Sequence, residues 1–163
     1  MSLWLYWLIL IELIIISIID IKTKKISNLW PLGNIIFGLI FYLFFDLYDW
    51  SWPVLIYPLV WLMIGFILFL IGIMGAGDSK LLSSLFLLIP LDFHHLMLEQ
   101  LIISTLVVGF MNLIMKMARD FRTIKAYAFS AYWKGFLEKI KSRFSFAPVV
   151  LIAWILLGVR LWN

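Results

Sequence analysis

Six apolar runs, joined by short polar segments, restrict the possible folds of this chain more than any other feature. Most are close to the roughly 20 residues that a helix needs to cross a bilayer, for which about 17 suffice. The mean hydropathy of +1.09 and the charged fraction of only 13% lie far from the mix of an ordinary soluble domain. The sequence therefore predicts an all-α membrane protein with about six transmembrane helices. The runs are Leu3 to Ile19, Trp30 to Phe45, Val54 to Met74, Leu81 to Leu91, Leu96 to Met115 and Phe146 to Trp162.

The domain organisation follows from the same runs. No stretch is long and polar enough to form a separate soluble domain, so residues 1–163 are expected to form one membrane-embedded bundle. The fourth run is short, and we expect its helix to begin inside the preceding glycine-rich motif, with an extension past Pro90 as an open alternative. The first run lacks the basic start and small-residue cleavage site of a signal peptide, so we expect a retained helix.

The distribution of basic residues predicts the orientation of the bundle. With six crossings, all of the 13 Lys and Arg residues except Arg160 fall on one side. By the positive-inside rule that side is cytoplasmic, and both chain ends lie outside the plasma membrane. Between the fifth and sixth runs, residues 126–144 carry apolar side chains at helical spacing. They predict an amphipathic helix on the cytoplasmic membrane surface, or one packed against the bundle.

Two acidic residues at the ends of apolar runs are the main candidates for chemistry. Asp20 closes the first run, and Asp78 lies in the polar motif Met74-Gly75-Ala76-Gly77-Asp78-Ser79-Lys80. Alone, Asp20 could be a solvated helix end, and Asp78 could be an N-cap. Together they are more informative, because both fall on the predicted cytoplasmic boundary. The side-chain-free Gly75 and Gly77 would also allow a peptide backbone to approach closely and would permit positive φ.

Two neighbouring carboxylates suit the chemistry of an aspartic peptidase. They share one proton because like charges a few ångströms apart resist double ionisation. The ionised member takes a proton from water while the other donates to the scissile carbonyl. No metal or organic cofactor is needed, and the absence of cysteine rules out disulfides and thiolate metal sites. Because Asp78 begins a helix and Asp20 ends one, the helix dipoles predict that Asp20 holds the shared proton, a trend that Lys22 and Lys24 oppose.

Three sequence blocks resemble those of the prepilin peptidases, or type IV leader peptidases, which include the archaeal preflagellin peptidases. The resemblance implies a six-helix catalytic domain in which Asp20 and Asp78 cleave the short basic leader from pilin-like or flagellin-like precursors at the cytoplasmic boundary. It also marks Gly75, Gly77, Lys80, Asn28 and Pro148 as motif residues for substrate binding. The partners implied are the precursor and the lipid bilayer, with no nucleic acid. The blocks are Asp20 with Lys24-Lys25-Ile26-Ser27-Asn28, Gly75-Ala76-Gly77-Asp78-Ser79-Lys80-Leu81-Leu82, and Phe146-Ala147-Pro148.

The chain departs from that family in two places. Ser27 stands where the family usually has proline, so the shape of this turn is open. Many bacterial members also carry a cysteine-containing insert after the first helix and N-methylate their product. Here the corresponding loop is short and contains no cysteine, so we expect a peptidase without N-methyltransferase activity.

Other interpretations fit less well. A second aspartic class, resembling presenilin and signal peptide peptidase, has its first catalytic Asp in the helix before the Gly-x-Gly-Asp motif, but Val54 to Met74 contains no acid. A small transporter or scaffold that binds a cation or proton with paired Asp residues remains an alternative, although the internal symmetry it predicts is not evident. His94 and His95 are adjacent and lack a third ligand, so a metal site is disfavoured. Glu12 is expected to form an interhelical hydrogen bond rather than to act in catalysis.

Overall fold

The computed structural model describes residues 2–44, 52–71, 74–119 and 145–162, which form helices and turns without a strand. The all-helical prediction is thus confirmed for this part of the chain. The amphipathic helix predicted for residues 126–144 lies outside the described residues. The helices are α1 Leu3–Thr23, α2 Leu29–Phe44, α3 Pro53–Leu70, α4 Ala76–Leu88, α5 Leu91–Arg119 and α6 Ala147–Trp162.

The helix ends follow the local sequence. As expected, α4 begins inside the glycine-rich motif, at Ala76. It ends at Leu88, because a residue before proline disfavours the helical region, and Ile89 before Pro90 is extended. The alternative extension past Pro90 is therefore wrong, and α5 begins directly afterwards, earlier than the predicted Leu96. The Nε2–H of the buried His94 donates a 2.8 Å hydrogen bond to the Ile89 carbonyl oxygen at this corner.

The bundle is organised around α4 and α6. Helix α4 packs against α2 and α3, and α6 packs against α1 and α5. A single large core joins these two groups, with Trp154 and Phe86 as its largest fully buried side chains. A second, small cluster of Ile16, Leu81 and Ala147 joins α1, α4 and α6 near one end of the bundle. This end also contains Asp20 and Asp78.

Tyr6 on α1 packs against Trp154 on α6. Its ring stacks on Trp154 with the centroids 5.4 Å apart, and its backbone carbonyl accepts a 3.2 Å hydrogen bond from the indole Nε1–H. Gly158 lies one turn beyond Trp154, and a Cβ there would collide with the Tyr6 hydroxyl. Glycine at this position therefore allows α1 and α6 to approach closely, as small residues do at interfaces between membrane helices.

The outer surface of the bundle is strongly apolar. Most of the outward side chains of α3 are large and apolar, and Met63 and Leu70 are each more than 60% exposed. Soluble monomers rarely expose apolar patches of this extent. Helices α1 and α5 are long and apolar enough to cross a membrane, whereas α2, α3 and α6 are apolar but shorter. The apolar helices and the exposed apolar surface are consistent with a membrane protein, and the six-span topology stays a prediction.

Candidate active site

The two aspartates lie in one cavity at the end of the bundle where α1 ends and where α4 and α6 begin. The cavity has a volume of about 270 Å³, and both carboxyl groups and two lysine residues line it. Asp20 is 3% exposed and Asp78 is 8% exposed. The sequence placed both residues at one membrane boundary, and the fold brings them together. The lining residues are Asp20, Lys24, Lys25, Ile26, Phe69, Met74, Gly75, Ala76, Gly77 and Asp78.

Asp20 is held by the first residue of α6. Helix α1 continues to Thr23, so Asp20 lies within its last turn and is buried, which differs from a solvated helix end. The Asp20 Oδ2 atom accepts a 3.2 Å hydrogen bond from the Ala147 N–H. The first amides of a helix have no partner within the helix, so this donor is free to bind a carboxylate. Pro148 follows in the first turn, where proline's missing N–H costs nothing.

Asp78 is held by the residue three positions before it. Gly75 is the N-cap of α4, so Asp78 occupies the third helical position and the N-cap alternative is wrong in detail. The Asp78 Oδ2 atom accepts a 2.9 Å hydrogen bond from the Gly75 N–H, as an acidic residue does in a capping box. A Cβ at residue 75 would lie 2.8 Å from that same oxygen. Glycine at residue 75 therefore gives the carboxylate room to reach the amide.

The two carboxylates are arranged alike and interact electrostatically. Each uses Oδ2 to accept an amide N–H at a helix N-terminus, where the helix dipole favours negative charge. Among the described residues, no hydrogen bond to either Oδ1 atom is seen. Asp20 lies in the last turn of α1 and also accepts from the first amide of α6, so the two helix dipoles oppose each other at this residue. The dipole preference for a proton on Asp20 is therefore weaker than the sequence suggested, and the position of the shared proton stays a prediction.

The loop between α1 and α2 forms one wall of the cavity. Lys24 adopts the left-handed conformation, with φ of 51°, and its N–H donates to the Asp20 carbonyl at 2.8 Å. This sharp turn ends α1 and directs residues 25–27 back across the site. Ser27, the residue that departs from the family pattern, accepts a 3.3 Å hydrogen bond from the Leu29 N–H through its hydroxyl. Serine at position 27 therefore helps to start α2, as serine commonly does at helix N-termini.

Gly77 is placed against this loop. A Cβ at residue 77 would lie 3.0 Å from the Ile26 carbonyl oxygen and 3.1 Å from the Ile26 Cβ. The close backbone approach expected at this glycine is thus made by the chain itself. None of the described glycines in the motif adopts positive φ, and the one positive φ in the site belongs to Lys24. Gly77 therefore acts on the shape of the cavity through Ile26.

The remaining motif residues, Asn28, Lys80 and Pro148, do not line the cavity. The Lys80 Nζ atom donates a 3.2 Å hydrogen bond to the Asn28 Oδ1 atom, on the exposed side of the loop. Pro148 lies in the first turn of α6 and does not line the cavity. Sequence reasoning missed Ala147, although it lies between two motif residues, because a backbone amide leaves no signature in a side-chain pattern.

The chain is similar to known proteins over most of its length. The sequence model of the type IV leader peptidase family matches residues 7–162, a range that includes both aspartates and Ala147. A preflagellin peptidase from Methanocaldococcus jannaschii is 38% identical over 84 residues, which make up 49% of this chain and 36% of that protein. The match therefore leaves most of the relative's length uncovered. No solved structure matches the chain significantly.

Proposed function

The chain belongs to the type IV leader peptidase family, and we propose that it is an aspartic endopeptidase that removes short basic leaders from pilin-like or flagellin-like precursors. The observation that carries this proposal is the pair of buried carboxylates in one cavity, each held through Oδ2 by a backbone amide. Burying two carboxyl groups in a membrane protein is costly, so their presence together favours a functional role over a structural one. Asp20 and Asp78 are the proposed catalytic residues.

In the proposed mechanism, the two carboxyl groups hold one proton between them. The ionised carboxylate removes a proton from a water molecule, whose oxygen adds to the scissile carbonyl carbon. The protonated carboxyl donates its proton to the carbonyl oxygen, giving a neutral tetrahedral intermediate. When the C–N bond breaks, the carboxyl that took the water proton donates it to the departing amine, and the other carboxylate takes a proton from a hydroxyl of the intermediate. The products are an amine and a carboxylic acid, and the dyad again holds one proton.

The fixed Oδ2 atoms have a role in this cycle. Because the Gly75 and Ala147 amides hold them, neither carboxylate has to reorient when its charge changes. Such preorganised donors avoid reorganisation at the moment of reaction. The arrangement also leaves both Oδ1 atoms for the water and for the substrate carbonyl.

We further propose that the bundle crosses the plasma membrane six times with the site at the cytoplasmic face. Lys22, Lys24, Lys25 and Lys80 are exposed around the cavity, as expected for a cytoplasmic end. At the opposite end, Arg160 pairs with Glu99, and His95 lies 3.5 Å from the same carboxylate. The junction between a hydrophilic leader and an apolar helix would lie at the same depth as the aspartates.

The test is cleavage of pilin-like and flagellin-like precursors by the purified protein in detergent or nanodiscs. We expect a single cut at the leader junction, loss of cleavage in Asp20→Asn and in Asp78→Asn, and normal membrane insertion of both variants. Substantial cleavage by either variant would favour the transporter or scaffold alternative. With a methyl donor supplied, mass spectrometry should find a free, unmethylated N-terminus on the product.

A further inference from the structure

An apolar groove lies between α1 and α2 on the outer side of the bundle. It starts at the α1–α2 loop, and from there it extends along both helices. It has a volume of about 540 Å³ and is open along the outer surface. Its α1 wall is one face of the helix, formed by residues at helical spacing. The lining residues are Leu8, Ile11, Glu12, Ile15, Ser27, Leu29, Trp30, Gly33, Asn34 and Phe37.

Glu12 is an unusual lining residue for a groove that faces lipid. Its side chain is 9% exposed, and its Oε1 atom is buried without a hydrogen-bond partner among the described residues. The Asn34 side chain lies beside this carboxyl group, and the Asn34 Nδ2 atom donates a 3.4 Å hydrogen bond to the Ser84 Oγ atom. Polar groups of α1, α2 and α4 thus meet at the wall of the groove. An unpaired buried polar atom is unfavourable, so an occupant that offers a hydrogen bond would be stabilised there.

One end of the groove lies at the α1–α2 loop, which also forms a wall of the aspartate cavity. Ser27 and Leu29 line the end of the groove nearest the α1–α2 loop, and the neighbouring Ile26 lines the aspartate cavity. Glu12 precedes Asp20 by eight residues, or about 12 Å along the axis of α1. A helix lying in the groove would therefore bring its end to the loop that forms the cavity wall.

A second apolar groove, of about 520 Å³ between α3 and α4, also reaches the site, but it lacks such a group. Its two polar lining residues are Ser79 and Lys80. The Ser79 hydroxyl donates to the Gly75 carbonyl, and the Lys80 ammonium donates to Asn28. The unpaired carboxyl oxygen therefore distinguishes the α1–α2 groove.

We propose that the α1–α2 groove binds the apolar helix of the precursor, and that Glu12 forms a hydrogen bond with a polar group on that helix. The proposal rests on the proposed peptidase function. The 12 Å distance corresponds to about eight residues if the substrate is helical from the cut, or about four if it is extended. The polar group thus lies about four to eight residues beyond the cut bond. Glu12 is a substrate-binding residue, and the groove selects precursors with a polar group at this depth.

Cross-linking tests the position of the helix without requiring activity. The natural chain has no cysteine, so one introduced cysteine is unique. Gly33→Cys lines the groove, and a side chain there meets nothing within 4 Å. Gly109→Cys on α5 is the matched control, because it is equally unobstructed but lies outside the groove. In the inactive Asp78→Asn background, precursors with a single cysteine four to eight residues beyond the cut should cross-link to residue 33 at least tenfold more than to residue 109.

Equal cross-linking at residues 33 and 109 would overturn the proposal, and so would preferential cross-linking to Met63→Cys in the α3–α4 groove. The first result would mean that lipid occupies the α1–α2 groove. The second would place the substrate in the other groove.

Kinetics test the role of Glu12. Glu12→Leu should raise KM for the full precursor about fivefold, in line with the modest strength of hydrogen bonds between membrane helices, and should leave kcat unchanged. Glu12→Gln, which keeps hydrogen-bonding capacity, should restore most of the affinity. A short junction peptide without the apolar helix should be cleaved equally by all three enzymes.

A matching loss of cleavage for the precursor and the junction peptide would show that Glu12 only supports the fold, which contradicts the proposal. Failure of the unchanged enzyme to cut either substrate would instead count against the proposed peptidase function. Because the cross-linking uses inactive enzyme, the groove and the function are tested separately.

Discussion

Replacing Gly75 with alanine tests whether the position of Asp78 Oδ2 controls the reaction. Gly75 has φ of −78° and ψ of 149°, which alanine adopts without strain, so backbone conformation is not the obstacle. The obstacle is the new Cβ, which would lie 2.8 Å from the Asp78 Oδ2 atom. The carboxylate is the more flexible partner and would rotate away, giving up its 2.9 Å hydrogen bond to the Gly75 N–H.

The magnitude follows from that hydrogen bond. A hydrogen bond to a charged group contributes about 1.5 to 3 kcal/mol. If the transition state depends on it, kcat should fall roughly 10- to 100-fold, since each 1.4 kcal/mol is a factor of ten. Stability should fall by no more than about 3 kcal/mol, because the same hydrogen bond also stabilises the start of α4. Gly109→Ala is the control, because its new Cβ meets nothing within 4 Å.

The assay is steady-state cleavage of one precursor by each purified variant, with thermal unfolding in the same detergent. A Gly75→Ala enzyme with nearly normal kcat would refute the reasoning, because it would show that the fixed Oδ2 atom is not needed. A large loss of both stability and kcat would also refute it, since the effect would then be on the fold.

Three further predictions use other parts of the molecule. Gly158→Val should destabilise the bundle by about 1 to 3 kcal/mol, because its side chain collides with Tyr6, and the loss should appear as a lower Tm. Lys80→Ala and Asn28→Ala should each lower kcat/KM slightly and to a similar extent. Because the two side chains share one hydrogen bond, the double variant should have the same kcat/KM as either single variant. Tags at either terminus should be labelled from outside intact cells and a tag near Arg122 should not, and labelling at Arg122 would contradict the six-span topology.

The sequence predicted the helices better than the contacts between them. Helix formation depends mainly on the local sequence, so the long apolar runs and Pro90 were enough to predict the helices and most of their ends. The pairing of Asp20 with the start of α6 depends on tertiary packing, and nothing near Asp20 in the sequence indicates it. The role of Gly77 could not be predicted from the sequence either. The atoms that a side chain at residue 77 would meet belong to Ile26, about fifty residues earlier in the chain. A glycine motif indicates that another group lies close to the backbone, but it does not identify that group.

The bond between Ala147 and Asp20 has a consequence for the timing of biosynthesis. The two residues are separated by 127 positions, so Asp20 is made long before its amide donor. At typical synthesis rates the delay is roughly 6 to 25 seconds. During this interval the nascent chain already contains Asp20 and then Asp78, yet the first carboxylate lacks the amide that fixes it. The site can therefore be completed only after the ribosome has synthesised residue 147. We expect a chain that stops before this residue to insert several helices without assembling the aspartate pair.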